Sequence, residues 1–194
     1  MYIRTSLKYN KRINIIHPGE YYVSKDDEII STLLGSCVAV CLYDSENRVS
    51  GMNHFMLPGR ISETDVFADR SAKYGITAIN DLLHHMEKTG AVKHKLTAKL
   101  FGGGHITSSR LDLHTIPHDN VRLAKILIEM EDIPIVELDV GDIYTRKLFM
   151  DVKSGRVFLK KISRAEVFRK LNIRDREFLA IRLKSNEESK SIDC

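Results

Sequence analysis

The sequence predicts an α+β fold in which helices cover the outer faces of antiparallel sheets. Two observations favour it: predicted strands outnumber predicted helices, and the helices separate groups of strands instead of alternating with single strands. A chain of 194 residues, 43% hydrophobic and 29% charged, has the composition of an ordinary globular protein. At this length, one domain with a full hydrophobic core is the simplest expectation.

The first third of the chain contains the strongest strand signals. Residues 1–14 alternate weakly between polar and apolar and are interpreted as a flexible arm or an edge strand. A short strand over 21–24 follows the turn at Pro18-Gly19. The apolar runs 38–43 and 49–57 flank a polar cluster, a pattern typical of a β-hairpin with Ser45-Glu46 as its two-residue loop.

The remaining elements include the clearest helix, over 71–88, where apolar residues recur every three or four positions and Gly90 follows as a terminator. A polar loop over 59–70 precedes this helix and is interpreted either as a border of the site or as a plain surface connection. Similar patterns predict a strand over 96–101, a second helix over 121–130, a strand over 135–140 and a closing hairpin of 148–152 with 156–162.

Composition and charge exclude several classes of function. The chain has 30 basic and 26 acidic residues, a net charge of +4, which gives no concentrated basic face for nucleic acid. The sequence has no apolar run near the roughly 20 residues that span a bilayer, and its N-terminus lacks the apolar core of a signal peptide. Three cysteines in no disulfide pattern favour a reducing compartment. We therefore expect a cytoplasmic protein without membrane insertion.

Cys37 and His54 are the candidate reacting pair. If Ser45-Glu46 is the hairpin loop, paired positions sum to 91, so Cys37 lies directly opposite His54 at roughly 4.5–5.5 Å between Cβ atoms. Cysteine attacks as the thiolate, and a neighbouring histidine can accept its proton and return it to a leaving group. The alternative is core packing, since cysteine is among the most buried residues. A bulge at Ser50-Gly51 would send His54 to the other face.

Two further patterns are candidate sites. Phe101-Gly102-Gly103-Gly104-His105 fits neither phosphate-binding fingerprint, and it favours a tight backbone approach whose N–H groups bind an oxyanion. The histidines lack metal-ligand spacing: His84 and His85 are adjacent, and Pro117 separates His114 from His118. We expect no metal and no cofactor.

The segments LLGSCVAVCLYD and GMNHFMLP resemble the CheD family of chemotaxis proteins, and HPGEYYVS, KYG, AKLFGGG and GRVFLKKI follow the same pattern over about residues 15–162. The resemblance implies a layered α/β/β/α arrangement with sheets in the centre. It also implies Cys37 as nucleophile and His54 as general base. The third catalytic group of the family is a threonine hydroxyl six positions before the cysteine, where this chain has Ser31 with Thr32 adjacent.

This resemblance implies a deamidase that converts glutamine side chains on the cytoplasmic helices of methyl-accepting chemotaxis receptors to glutamate. A CheC-like phosphatase is the implied protein partner. One alternative is a regulatory binding module that acts mainly through that phosphatase. Another is the same thiol chemistry on a different acyl group, as in a protease or transamidase. The expected domains are 1–162 and a C-terminal extension, 163–194, that is partly helical and then disordered.

Overall fold

The computed structural model describes residues 1–6, 10–57, 70–106 and 115–163, together with residues 165, 166 and 169. Two compact units divide the chain, Met1–Lys161 and Ile162–Cys194. The elements and the site described below belong to the first unit, apart from the final residue of the last strand. The loop predicted over 59–70, except its last residue, and most of the C-terminal extension lie outside the described residues.

Ten strands, two α-helices and one short 3-10 helix make up the described chain. The helices are α1 (Arg70–Lys88) and α2 (Ile116–Met130), and the 3-10 turn is Lys93–Lys95. The strands are β1 (Tyr2–Ser6), β2 (Lys11–Ile15), β3 (Tyr21–Ser24), β4 (Glu28–Leu34), β5 (Val38–Asp44), β6 (Val49–Asn53), β7 (Leu96–Gly102), β8 (Ile135–Val140), β9 (Thr145–Asp151) and β10 (Val157–Ile162).

The strands form two five-stranded mixed sheets. The first has the order β1-β2-β4-β9-β10 and the second β3-β6-β5-β7-β8. Strands β2 and β4 run parallel in the first sheet, as do β7 and β8 in the second, while β4 with β9 and β5 with both β6 and β7 are antiparallel. The α+β prediction is confirmed. The N-terminal residues form the edge of the first sheet, which corresponds to the edge-strand interpretation.

Two hydrophobic clusters show how the layers pack. One lies between the sheets and joins Ile30 and Leu148 of the first sheet to Ala39 and Phe101 of the second. The other lies on the opposite face of the second sheet, where Val40 and its neighbours meet both helices. Successive side chains of a strand point to opposite faces. Cys37, Ala39 and Cys41 therefore belong to the space between the sheets.

Both described α-helices pack on the second sheet, α1 against β3 and β6, and α2 against β5, β7 and β8. Helix α1 matches its prediction. Helix α2 begins at Ile116, five residues before the predicted start, so the segment expected to precede the helix forms its first turn. Pro117 lies in that turn, where its missing N–H costs nothing and its fixed φ suits a helix.

Within the described residues, no helix is long and apolar enough to span a membrane.

The hairpin of β5 and β6 differs from its prediction. Asp44 pairs with Val49, so the loop has four residues, 45–48, instead of the predicted two. The side chain of Asp44 accepts hydrogen bonds from the N–H groups of Glu46 and Asn47, which stabilises the longer turn. The register predicted from Ser45-Glu46 was therefore wrong by two residues.

Candidate active site

Cys37 lies in the three-residue link between β4 and β5. Its side chain is buried, and its carbonyl accepts a hydrogen bond of 2.8 Å from the N–H of Gly103. Gly102 has φ +114°, and a Cβ atom there would lie 2.2 Å from the Cys37 carbonyl oxygen. Only glycine permits this approach. The glycine run, 102–104, thus packs closely against the backbone of the link that carries Cys37 and is hydrogen-bonded to it.

His54 follows β6 and lies on the same face of the sheet as Cys37. Val38 and Phe55 exchange two backbone hydrogen bonds of 3.0 Å, so paired positions sum to 93 and His54 lies opposite Ala39. Cys37 is two residues from Ala39 and is a diagonal neighbour of His54, not the directly opposed partner that was predicted. A shift of two residues preserves the face, whereas a shift of one would have reversed it.

Thr32 contacts the imidazole of His54, and Ser31 does not. Thr32 Oγ1 lies 2.7 Å from His54 Nδ1 and 2.9 Å from the carbonyl oxygen of Ile16. Ser31 Oγ donates instead to the carbonyl of Leu148 at 2.7 Å. The two residues are adjacent in β4, so their side chains point to opposite faces of the first sheet. Only Thr32 faces the second sheet, where His54 lies.

These bonds determine the tautomer of His54. The Thr32 hydroxyl has one hydrogen, which it donates to the Ile16 carbonyl, so its oxygen accepts the Nδ1–H of the imidazole. Nε2 is then unprotonated. Nε2 is buried, and it has no hydrogen-bond partner among the described residues. Nε2 is therefore the ring nitrogen that can accept a proton, and the structure records no hydrogen bond from the Cys37 thiol to it.

Burial sets the charge state of the pair. It lowers the pKa of His54 to about 4, with a smaller contribution from the nearby His17 in the same direction. Burial also raises the pKa of the Cys37 thiol, against weaker opposing effects of its own N–H and of the Ser36 hydroxyl. Burial therefore favours the neutral thiol of Cys37 and the neutral imidazole of His54 at neutral pH.

The lowered pKa of His54 predicts a displaced acid limit of activity. His54 accepts a proton only when neutral, so kcat/KM is expected to remain level below the ordinary histidine pKa of 6.5 and to fall as pH approaches about 4. Between these values the unfolded chain binds a proton that native His54 does not bind. The contribution of His54 to the free energy of unfolding therefore falls as pH is lowered through this window.

The measurement is a pH–rate profile with brief exposure at each pH, accompanied by chemical unfolding over the same range. An acid limit near pH 6.5, with no change in stability between 6.5 and 4, would show that the imidazole is not desolvated.

The glycine run does not supply the oxyanion donors that the sequence suggested. The N–H of Gly103 donates to the Cys37 carbonyl and that of Gly104 donates to the Gly35 carbonyl, both at 2.8 Å. The N–H of His105 donates to the carbonyl of Asp142. These bonds occupy the three donors, so the run supports the cysteine link structurally. The prediction of a tight backbone approach is confirmed, and the prediction of free N–H groups in this run was wrong.

Sequence reasoning missed the carbonyl of Ile16, which accepts the Thr32 hydroxyl. It also missed the side chain of Asn120, which hydrogen-bonds to the backbone of Ser36, next to Cys37, and of Leu57. A backbone carbonyl leaves no signal in a sequence. Asn120 does leave one, because it precedes Leu123, Ala124 and Leu127 at helical spacing and thus lies on the apolar face of α2. Its side chain is fully buried. A polar residue on a buried helical face requires specific partners.

The other candidate residues lie outside the pair. Cys41 is buried between the sheets, and burial raises the pKa of its thiol strongly. This environment disfavours the thiolate and suits a packing role. Within the ranges that the structure describes, no group of three or more histidine, cysteine, aspartate or glutamate side chains is placed to hold a metal ion.

Comparison with known proteins gives a consistent family. The family model for CheD, described as CheD chemotactic sensory transduction, matches residues 56–161. A probable chemoreceptor glutamine deamidase CheD from Laribacter hongkongensis is 40% identical over 163 residues, covering 82% of this chain and 79% of the relative. A protein of the same description from Methylobacillus flagellatus is 35% identical over 196 residues, covering 98% and 95%.

Among solved structures, the chain is similar to the hypothetical protein YfiH of Bacillus licheniformis. The TM-score is 0.40 at 12% identity, and the match covers 62% of this chain and 49% of the other.

Proposed function

This chain belongs to the CheD family, and from that membership we propose that it is a cysteine-dependent protein-glutamine deamidase acting on chemoreceptors. One observation carries the mechanistic part of the proposal. Thr32 bonds to Nδ1 of His54, while Nε2, on the face of the sheet that carries the Cys37 thiol, has no hydrogen-bond partner in the described part of the chain. A purely structural histidine in a buried core would have both ring nitrogens hydrogen-bonded.

The reaction begins when His54 Nε2 takes the thiol proton and Cys37 Sγ attacks the carboxamide carbon of a receptor glutamine. The carbonyl oxygen becomes an oxyanion. As it collapses, the C–N bond breaks and His54 returns its proton to the nitrogen, so ammonia leaves and a thioester remains. His54 then takes a proton from water, which attacks the thioester carbon. The C–S bond breaks, His54 returns this proton to the sulfur, and the glutamate side chain leaves as the thiol is restored.

Mass spectrometry tests this function. A cytoplasmic fragment of a chemoreceptor is incubated with the protein in ¹⁸O-labelled water, and the glutamines that become glutamate are identified. We expect the acid product to contain ¹⁸O at particular glutamines, because water provides the new oxygen. Addition of hydroxylamine is expected to give a hydroxamate at the same positions, because it captures the thioester. No conversion by the protein at any concentration would contradict a deamidase.

The other two candidate functions are distinguished in the same assay. Incorporation of a supplied primary amine, in preference to water, would indicate a transamidase. An unchanged fragment together with binding of a CheC-like phosphatase would favour the regulatory module.

Replacement of Thr32 by valine tests the third member of the site. Valine matches threonine in shape but cannot accept the Nδ1–H of His54, so the imidazole loses its orientation. We expect kcat to fall by about 100-fold, within the range for general acid–base contributions. The measurement is the initial rate of deamidation at saturating fragment.

Ser31→Ala is the matched control. Ser31 and Thr32 each donate to a buried backbone carbonyl, so either change removes one buried hydrogen bond and costs about 0.5–1.5 kcal/mol of stability. Ser31 has no contact with His54 that the structure records, and its variant is expected to keep its rate. A loss of rate in Ser31→Ala equal to that in Thr32→Val would transfer the role to Ser31.

A further inference from the structure

The proposed reaction requires a donor for the oxyanion, and the glycine run has none to offer. The backbone N–H of Cys37 is the best-placed candidate. Among the described residues it donates to no carbonyl, and it lies close enough to its own sulfur to lower the pKa of that thiol. When a carbonyl carbon bonds to this sulfur, its oxygen comes within reach of the same N–H. A donor stabilises an oxyanion best when its direction is already fixed before the oxyanion forms.

Asn120 fixes that direction through the preceding carbonyl. Its Nδ2 donates to the carbonyl oxygen of Ser36 at 2.9 Å. The Ser36 carbonyl and the Cys37 N–H belong to one peptide group, which is planar and trans, so they point in opposite directions. Holding the oxygen on one side therefore holds the N–H on the other side.

The side chain of Asn120 also bonds to the segment that follows His54. Oδ1 of Asn120 accepts the N–H of Leu57 at 2.8 Å, three residues after His54. Only one orientation of the amide can serve both partners, because Ser36 offers an acceptor and Leu57 a donor. Asn120 is fully buried on the face of α2 that packs on the second sheet, so the helix supports it rigidly.

We propose that Asn120 is a positioning residue that, through the Ser36 carbonyl, orients the Cys37 N–H as the oxyanion donor. This role rests on the proposed thiol chemistry, but not on the identity of the natural substrate. It differs from a general structural role in one respect. It affects reactions that form an oxyanion more than reactions of the same thiol that form none.

The test compares two reactions of Cys37 in the variant Asn120→Leu, which keeps the branched shape of the side chain and removes both hydrogen bonds. Acylation by p-nitrophenyl acetate passes through a tetrahedral oxyanion. Alkylation by iodoacetamide is a displacement at a saturated carbon and forms none. Modification of Cys37 is followed by mass spectrometry of its peptide at neutral pH, and kcat and KM are measured with the receptor fragment.

We expect acylation and kcat to fall by about 100-fold, as for loss of an oxyanion donor. Alkylation and KM are expected to stay within about threefold of wild type. The control is Ser50→Ala, since Ser50 is fully buried and its hydroxyl donates to the carbonyl of Val152 at 2.7 Å, away from the site. If Asn120→Leu does not fold, Asn120→Ala replaces it, because water can enter the smaller site and bond to both groups.

An equal fall in acylation and alkylation would overturn the proposal, because it would show that Asn120 only places the thiol. So would an acylation rate no lower than in Ser50→Ala. If the wild-type protein leaves the receptor fragment unchanged but the ratio of acylation to alkylation falls in the Asn120 variant, the proposed substrate fails while the role of Asn120 stands.

Discussion

Replacement of Cys37 by alanine is expected to abolish deamidation, with a loss of roughly 10⁶-fold, comparable to removal of the nucleophile in a catalytic triad. The proposed reaction forms a bond to this sulfur and later breaks it, and an alanine methyl group cannot form the thioester. The measurement is the appearance of glutamate in the receptor fragment over time, by mass spectrometry. The hydroxamate formed with hydroxylamine is expected to disappear as well.

Cys41→Ala is the matched control for this result. Cys41 lies in β5 on the same face as Cys37, four residues further on, and is almost completely buried. Its replacement removes a sulfur from the core and is expected to cost about 1 kcal/mol of stability without loss of rate. Unchanged deamidation by Cys37→Ala, or an equal loss in Cys41→Ala, would remove Cys37 from the mechanism.

Replacement of His54 by alanine is expected to give a loss of similar size. The thiol of Cys37 has a raised pKa and cannot ionise at neutral pH without a base. The departing ammonia also needs a proton that only the imidazole supplies. Since the thiol and the imidazole act as a unit, the double variant Cys37→Ala/His54→Ala is expected to be no slower than either single variant.

Alkylation of Cys37 by iodoacetamide separates the two roles. In His54→Ala the thiol remains, and its alkylation is expected to increase with pH through the alkaline range as the thiol ionises by itself. His85→Ala serves as the control, because that imidazole lies on α1 and interacts with the hydroxyl of Tyr21 at 3.1 Å. If deamidation were retained in His54→Ala, or if the effects of the two single variants were additive, a different base would have to be sought.

The sequence by itself determined the elements whose signal is local. The apolar spacing over 71–88 predicted α1, and the apolar run over 135–140 predicted β8, because periodicity within one segment reflects the face that it buries. The alternation of side chains in β5 and β6 also placed Cys37 and His54 on one face. The predicted loop was two residues too short, but the predicted face was still correct, because a register error of two residues leaves each side chain on the same face.

The tertiary structure decided everything that depends on contacts between distant segments. Ser31 and Thr32 are neighbours in sequence, and only the packing of the two sheets brings Thr32 to His54 and leaves Ser31 at Leu148. The Gly103 N–H appeared free in the sequence and proves to be bonded to Cys37. Asn120 meets Ser36 across 84 positions. Local pattern specifies which face a residue occupies, but the partner across that face is chosen by how whole elements pack.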